Sequence, residues 1–208
     1  ESASVLSATI GNMSAIRLGT RASTLATTQS EMVAGLLRSE GLDVNLTTIT
    51  THGDTSTASL AAMGGIGVFA SAIRAALLEG EADIAVHSFK DLPTGRPLGL
   101  AIGAVPARAD PRDALVARDG LTLHDLPQEA SVGTGSPRRA AQLLAVRPDL
   151  TIVDIRGNVD TRLGRVKGLG RYAKNGGKED LDAVVLAASG LARLGHSGAV
   201  TEFLDPSV

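Results

Sequence analysis

From Ile16 to Ala187, short apolar runs of β character alternate with segments of helical spacing. That alternation restricts the chain to α/β architectures built on mainly parallel sheets. Ile16 to Gly19 reads as a strand. Leu25, Gln29, Met32, Val33, Leu36 and Leu37 then recur at helical spacing, and Gly41 closes the helix. A strand at Val44 to Thr50, a helix from about Val68 to Leu78 ended by Gly80, and a buried strand at Asp83 to Ser88 complete a first set. The stretch Pro106 to Pro111, rich in Pro, Ala and charge, suits a crossover between lobes. Beyond it the alternation resumes: strand Ser131 to Thr134, helix Pro137 to Val146, strand Thr151 to Ile155, a helix from about Val159, and strand Asp182 to Ala187. Aromatics make up 2% of the 208 residues and Trp is absent, so Ala, Val, Leu and Ile must build the core. Lys167 to Glu179 holds four Gly and four basic residues and predicts a mobile surface loop. Residues 1–15 have no period and predict a flexible tail.

Several functional classes drop out. Without Cys there is no disulfide, thiolate metal site or Cys nucleophile in these residues. His52, His87, His124 and His196 show no metal-ligand spacing, so no metal is expected. A net charge of −2 and the shortage of stacking aromatics argue against nucleic acid. The apolar runs fall far short of the roughly 20 residues needed to cross a bilayer. Residues Glu1 to Ala15 lack the basic and apolar regions of a secretion signal, so a cytoplasmic protein is expected, and a monomer.

Three turns share one local form, a strand end followed by a polar turn with Arg and then a helix start. They are Gly19-Thr20-Arg21-Ala22-Ser23, Gly133-Thr134-Gly135-Ser136-Pro137-Arg138-Arg139 and Arg156-Gly157-Asn158. Ser136 before Pro137 makes an N-cap and N1 pair, and Ser23 and Asn158 are candidate caps. Ligands of open α/β sheets bind beyond the carboxyl ends of the strands. Free N–H groups and guanidinium forks gathered there favour a polycarboxylate, with Arg162 one helical turn beyond Asn158 able to join them. Taken singly, each turn reads equally well as a capped helix with a solvated Arg. The glycine run Gly64-Gly65-Ile66-Gly67 lacks the Lys-Ser/Thr of a phosphate loop.

The most pointed segment is His87-Ser88-Phe89-Lys90-Asp91-Leu92-Pro93. Lys90 and Asp91 are neighbours that a buried pair would suit. An ionised Asp91 in a cleft of arginines would stabilise a cation on a substrate or exchange a proton with it.

The stretches IRLGTRASTLATTQ, THGD, GGIGVFASAIRAALLEGEADIAVHSFKDLPT, DPRDALV, VGTGSPRRAAQL, IRGNVDTRL and AASGLARLG occur in one order from about Ile16 to Pro206. In that order they resemble the porphobilinogen deaminase (hydroxymethylbilane synthase) family. The resemblance implies two periplasmic-binding-protein-like (type II) lobes joined by hinge crossovers, and a third small domain. On that basis residues 16–106 are expected to form the first lobe and 107–199 the second, with a return of 200–208 to the first left open. By the same resemblance the family has a third domain, with the Cys that anchors its cofactor, and this domain is expected to be missing after residue 208.

The implied activity is a transferase that condenses porphobilinogen units, with loss of ammonia, on a dipyrromethane cofactor. Its partners would be porphobilinogen and the growing oligopyrrole. By the same resemblance Asp91 is the catalytic carboxylate that stabilises positive charge on pyrrole nitrogen. Arg21, Ser23, Ser88, Lys90, Thr134, Ser136, Arg138, Arg139, Arg156, Arg162 and Arg193 bind substrate or cofactor carboxylates or support those that do. Gln29 matches a family position where a structural role is at least as fitting. Ile66 and Gly135 depart from the pattern, standing where the family often has Lys and Ser. A non-catalytic two-lobed module that holds an anionic ligand is the competing reading.

Overall fold

The computed structural model describes residues 15–50, 70–95 and 97–205. They fall into two compact units, with 15–50, 70–95 and 97–102 in the first and 103–205 in the second. The division at Ile102 and Gly103 precedes the expected one at residue 106. Residues 101–112, which include the Pro106 to Pro111 stretch, form neither helix nor strand.

In the first unit, β1 (Ile16–Thr20), α1 (Thr24–Ser39), β2 (Val44–Thr48), α2 (Ser71–Leu78) and β3 (Ile84–Ala85) follow the expected alternation. The sheet order is β2-β1-β3, all parallel. Leu18, Ala34 and Val44 are buried, with Val33, Leu37, Leu46 and Ile84 packed on them. The helix therefore buries the face of Ser30, Val33, Ala34 and Leu37, while Met32 and Leu36 are exposed. Both helices end as their glycines predict. The N–H of Gly41 donates to Arg38 O and that of Leu42 to Leu37 O; Gly80 and Glu81 repeat the pattern with Leu77 O and Ala76 O. With φ of +84° and +72° at the two glycines, these are Schellman ends. The expected strand Asp83 to Ser88 shrinks to two half-buried residues, because from Val86 onward the backbone leaves the ladder and enters a 3₁₀ turn at Phe89–Asp91.

The second unit contains β4 (Asp113–Ala117), β5 (Ser131–Gly133), α3 (Pro137–Val146), β6 (Thr151–Val153), α4 (Val159–Leu163), β7 (Ala183–Ala187), α5 (Ala188–Arg193) and β8 (Glu202–Leu204). The order is β6-β5-β7-β4-β8, with β4 antiparallel to both neighbours. One face of the sheet puts Ala114, Val116, Val184 and Leu186 into a core with Ile155, Leu163 and Leu191. The other puts Leu115, Ala117, Ala183 and Val185 into a core with Val132, Leu143 and Leu150. Burial on both faces explains why β4 and β7 are apolar without alternation. Each fully buried Val or Leu contributes about 1.5–3 kcal/mol. Within the 200–208 stretch, for which a return to the first lobe is an expectation, Glu202–Leu204 pairs with Asp113–Leu115 of the second unit, and the Glu202 carboxylate accepts the Leu123 N–H at 2.7 Å; residues 206–208 lie outside the described residues. The antiparallel contact buries the β4 edge that would otherwise stay open.

The glycine-rich segment Lys167 to Glu179 is pinned at both ends. Lys167 N–H donates to Leu181 O at 3.0 Å and Leu181 N–H to Arg165 O at 2.9 Å. The Glu179 carboxylate accepts the Gly170 N–H at 3.1 Å, and Gly177 lies so close to Gly164 that a Cβ there would sit 1.7 Å from its carbonyl oxygen. Asp182 anchors the base, accepting from Lys167 Nζ, Arg118 Nε and the Ser131 hydroxyl at 2.8–2.9 Å. Burial opposes its ionisation, but these donors outweigh burial and hold its pKa far below the usual carboxylate range.

Candidate functional site

In the first unit the polar residues gather at the carboxyl ends of β1 and β3, which are neighbours in the sheet. Ser23 caps α1, its Oγ accepting the Ala26 N–H at 3.4 Å, and the buried Ser30 hydroxyl donates to Thr20 Oγ1 at 2.8 Å. Arg21 therefore leaves a turn fixed on both sides, and it is half-buried. From β3, the 3₁₀ turn closes with the Asp91 N–H on Ser88 O at 2.9 Å, and Ser88 Oγ donates to Gln29 Oε1 on α1 at 2.8 Å. Gln29 thus ties the helix to the turn that carries Asp91. Burial pushes the His87 imidazole below its usual pKa; the Asp91 carboxylate opposes the shift, and Arg21 and Arg74 add to it. Asp91, Arg21 and Arg74 therefore lie within electrostatic reach of one half-buried ring. Lys90 and Asp91 do not form the buried pair that their adjacency suggested. Lys90 is exposed, and neither side chain makes an ion pair with a described residue, because the 3₁₀ turn points successive side chains apart.

In the second unit the other two turns leave the ends of adjacent parallel strands, β5 and β6. Thr134 is buried; its N–H donates to Val153 O at 3.0 Å and its hydroxyl accepts the Ser136 N–H at 3.2 Å. Ser136 caps α3 by accepting the Arg139 N–H at 3.4 Å, with Pro137 in the first turn, and Asn158 caps α4 by accepting the Thr161 N–H at 2.8 Å. All three expected caps are present.

The arginines differ in how far they are committed. Arg139 forks onto Asp113, Nε to Oδ2 at 2.7 Å and Nη2 to Oδ1 at 2.6 Å, so much of its donor set is already used. Arg162 gives its Nε to Gly157 O at 2.9 Å. Among the described residues, Arg138 is exposed and neither it nor Arg193, in the last turn of α5, makes a side-chain hydrogen bond or ion pair. Arg156 is the exceptional one, because its Nη1 is buried without a hydrogen-bond partner. An unsatisfied buried donor costs about 1–3 kcal/mol, more when charged. Burial also lowers the Arg162 pKa, Arg139 and Arg156 push it the same way, and Asp154 opposes. Arg139 and Arg156 therefore both lie within electrostatic reach of Arg162. An anion there would satisfy the orphan nitrogen and relieve the repulsion together.

The family described as porphobilinogen deaminase, dipyromethane cofactor binding domain, matches residues 16–208. The chain belongs to the porphobilinogen deaminase family. A porphobilinogen deaminase of Micrococcus luteus is 59% identical over 203 residues, covering 94% of this chain and 54% of that protein. One from Leifsonia xyli subsp. xyli is 59% identical over 194 residues, covering 93% and 56%, and one from Thermobifida fusca is 55% identical over 190, covering 91% and 56%. The chain spans about half the length of the curated relatives it matches. A solved structure of an ABC-transporter periplasmic substrate-binding protein from Coxiella burnetii aligns at TM-score 0.47 and 18% identity, over 93% of this chain and 80% of its own.

Of the two departures from the deaminase pattern, Ile66 lies outside the described residues, as does the rest of the Gly64 to Gly67 run. Gly135 has a physical reason: a Cβ there would meet the Ile155 carbonyl oxygen at 2.7 Å, where the β5 and β6 turns touch. Sequence reasoning missed Asp113 as the counter-ion of Arg139 and Arg74 as a neighbour of His87. The DPRD motif holds Asp113 in plain view, but nothing in its spacing points across the sheet to α3.

Proposed function

We propose that the protein carrying this chain is a transferase that joins porphobilinogen units, with loss of ammonia, into the linear tetrapyrrole hydroxymethylbilane. The observation that carries the reading is the family match over both units. The buried, partnerless Arg156 Nη1, near Arg162, supports it, since every pyrrole of the substrate bears carboxylates. Donors of the same kind suit the acetate and propionate groups of a dipyrromethane, with Arg138 and Arg139 as the residues of the second unit that would hold it. With no Cys, these residues supply the charge complement and not the thioether anchor. When bound, that cofactor supplies the free pyrrole end on which the chain grows.

In each addition the aminomethyl C–N bond of porphobilinogen breaks. A C–C bond forms between the freed methylene and a pyrrole α-carbon, that carbon loses its proton, and ammonia leaves with the additional N–H bond. Positive charge develops on the pyrrole nitrogen as the amine departs. We assign its stabilisation to the Asp91 carboxylate, which accepts the pyrrole N–H. Arg21 and Lys90 in the first unit, and Arg138, Arg139, Arg156, Arg162 and Arg193 in the second, are assigned to ring carboxylates. Ser23, Ser88, Thr134 and Ser136 hold the turns that present them. Burial, which lowers the His87 pKa, disfavours an imidazolium that would compete with the substrate for the Asp91 charge.

The reading places the protein in the cytoplasm as a monomer, in porphyrin and haem biosynthesis. No helix among the described residues is long and apolar enough to cross a membrane, and the net charge of −2 offers nucleic acid no attraction. The test is the intact mass of the native gene product, with ammonia release on adding porphobilinogen. A mass excess equal to one dipyrromethane, together with ammonia release, is the expected result. Binding of porphobilinogen without ammonia would replace the transferase with a binding module.

A further inference from the structure

The ring of His196 lies where three elements of the second unit meet. α5 ends in a Schellman motif: the Gly195 N–H donates to Ala192 O at 3.1 Å and the His196 N–H to Leu191 O at 2.8 Å, with Gly195 at φ +74°. The backbone of His196 is fixed by this turn, and with it the direction of the side chain. Nε2 lies 2.6 Å from Oδ1 of Asp160, in the first turn of α4. The ring also meets Tyr172 edge-on, at 5.1 Å between centroids and 86° between planes, and the Arg171 guanidinium lies over the same Tyr172 ring at 5.0 Å. Both members of the His196–Asp160 pair are partly shielded from water, with side chains 22% and 35% exposed.

The two helices joined in this way carry candidate ligands. Asp160 stands between the Asn158 cap and Arg162, whose Nε grips Gly157 O in the turn that begins with Arg156. Arg193 stands in the last turn of α5. At five residues, α4 is too short to hold its own position by helical hydrogen bonding, so its place depends on side-chain ties.

We infer that His196 is a positioning residue: by bonding Asp160 it clamps α4, and with it Arg162 and the Arg156 turn, against α5 and the Tyr172 loop. The clamp needs only an N–H at Nε2, which a neutral tautomer and an imidazolium both provide. The inference rests on the reading of the arginines as carboxylate ligands.

The test is steady-state kinetics with porphobilinogen on the complete, cofactor-loaded gene product. His196→Phe keeps a ring for Tyr172 and removes the N–H. It is expected to raise KM about threefold to tenfold while kcat stays within about twofold, as displaced binding groups do. His196→Gln, which keeps a donor for Asp160, is expected to return KM to within about twofold of the parent. Asp160→Ala should match His196→Phe, and the double variant should be no worse than either, since the two share one interaction. Should His196→Phe fail to fold, Asp160→Ala and His196→Gln carry the test. A lowered unfolding temperature with unchanged KM in these variants would mean a purely structural role and overturn the inference. Arg162→Ala, run alongside, separates the two levels. A raised KM there with parental KM in the clamp variants leaves the arginine reading standing and sinks the clamp. An unchanged KM in Arg162→Ala sinks both.

Discussion

The two units repeat one core, a strand, a helix, a second strand on one side and a third on the other, in the orders β2-β1-β3 and β6-β5-β7. They differ in what the third strand delivers. β3 opens into a 3₁₀ turn bearing Lys90 and Asp91, whereas β7 runs directly into α5 and Arg193. They also differ in how the arginines are balanced. Around the half-buried His87 the Asp91 carboxylate stands with Arg21 and Arg74, while Arg162 has both Arg139 and Arg156 within reach and the Arg139 fork is answered by Asp113. The same scaffold thus offers a carboxylate suited to a cation in one unit and a surplus of cations suited to carboxylates in the other. The difference lies in the residues after each strand and not in the sheet.

That division of labour can be broken by substitution. Asp91→Asn in the complete protein is expected to lower turnover by about 10²–10³-fold or more with an unchanged unfolding temperature, measured by single-turnover kinetics and calorimetry. A loss confined to KM would move Asp91 to the binding side. Asp182→Ala should have the opposite signature. Lys167, Arg118 and Ser131 lose a shared, largely buried acceptor, so denaturant unfolding should show about 3 kcal/mol less stability with kcat intact in the folded protein. Arg156→Ala should raise the porphobilinogen KM by about tenfold to a hundredfold, the worth of one charge-assisted hydrogen bond, and change kcat little.

The smallest effect bears on both units alike. Hydrogen bonds from Arg17 hold Asp83, and hydrogen bonds from Arg147 hold Asp149, each at a pKa of about 2 against an ordinary 3.8. A depressed carboxylate stabilises the fold above its unfolded pKa and loses that contribution as pH falls through the folded one. NMR titration of the two carboxyls should therefore give midpoints near 2. A midpoint near 4 in only one of them would show that its ion pair does not persist in solution.

Much of this architecture was legible in the sequence, because strand ends, caps and closing glycines act locally. Pro137–Val146, the Ser23, Ser136 and Asn158 caps, and the stops at Gly41 and Gly80 all follow from residues within a turn of each other. Features that depend on distant partners were not. β4 breaks the β–α alternation and is antiparallel, so no period announces it, and β8 joins it only through pairing across the sheet. The buried face of α1 is shifted because Ala34 and Ser30, small residues with weak apolar signal, are the ones fully buried, which leaves Met32 and Leu36 outside. In the site, the identity of the arginines was readable, but their division into committed and uncommitted forks depends on Asp113 and Gly157 across space.

The contact of Gly177 with Gly164 gives the Lys167 to Glu179 segment a property at odds with its composition. Lys167, Arg171, Lys174 and Lys178 are four cleavage sites for trypsin in a row, in a stretch that looks open to attack. A protease must draw about ten residues of extended chain into its cleft, and here that means first unhooking a glycine packed backbone to backbone. Limited trypsin digestion should therefore cut within residues 101–112, at Arg108, well before it cuts this segment, and Gly177→Ala should reverse that order.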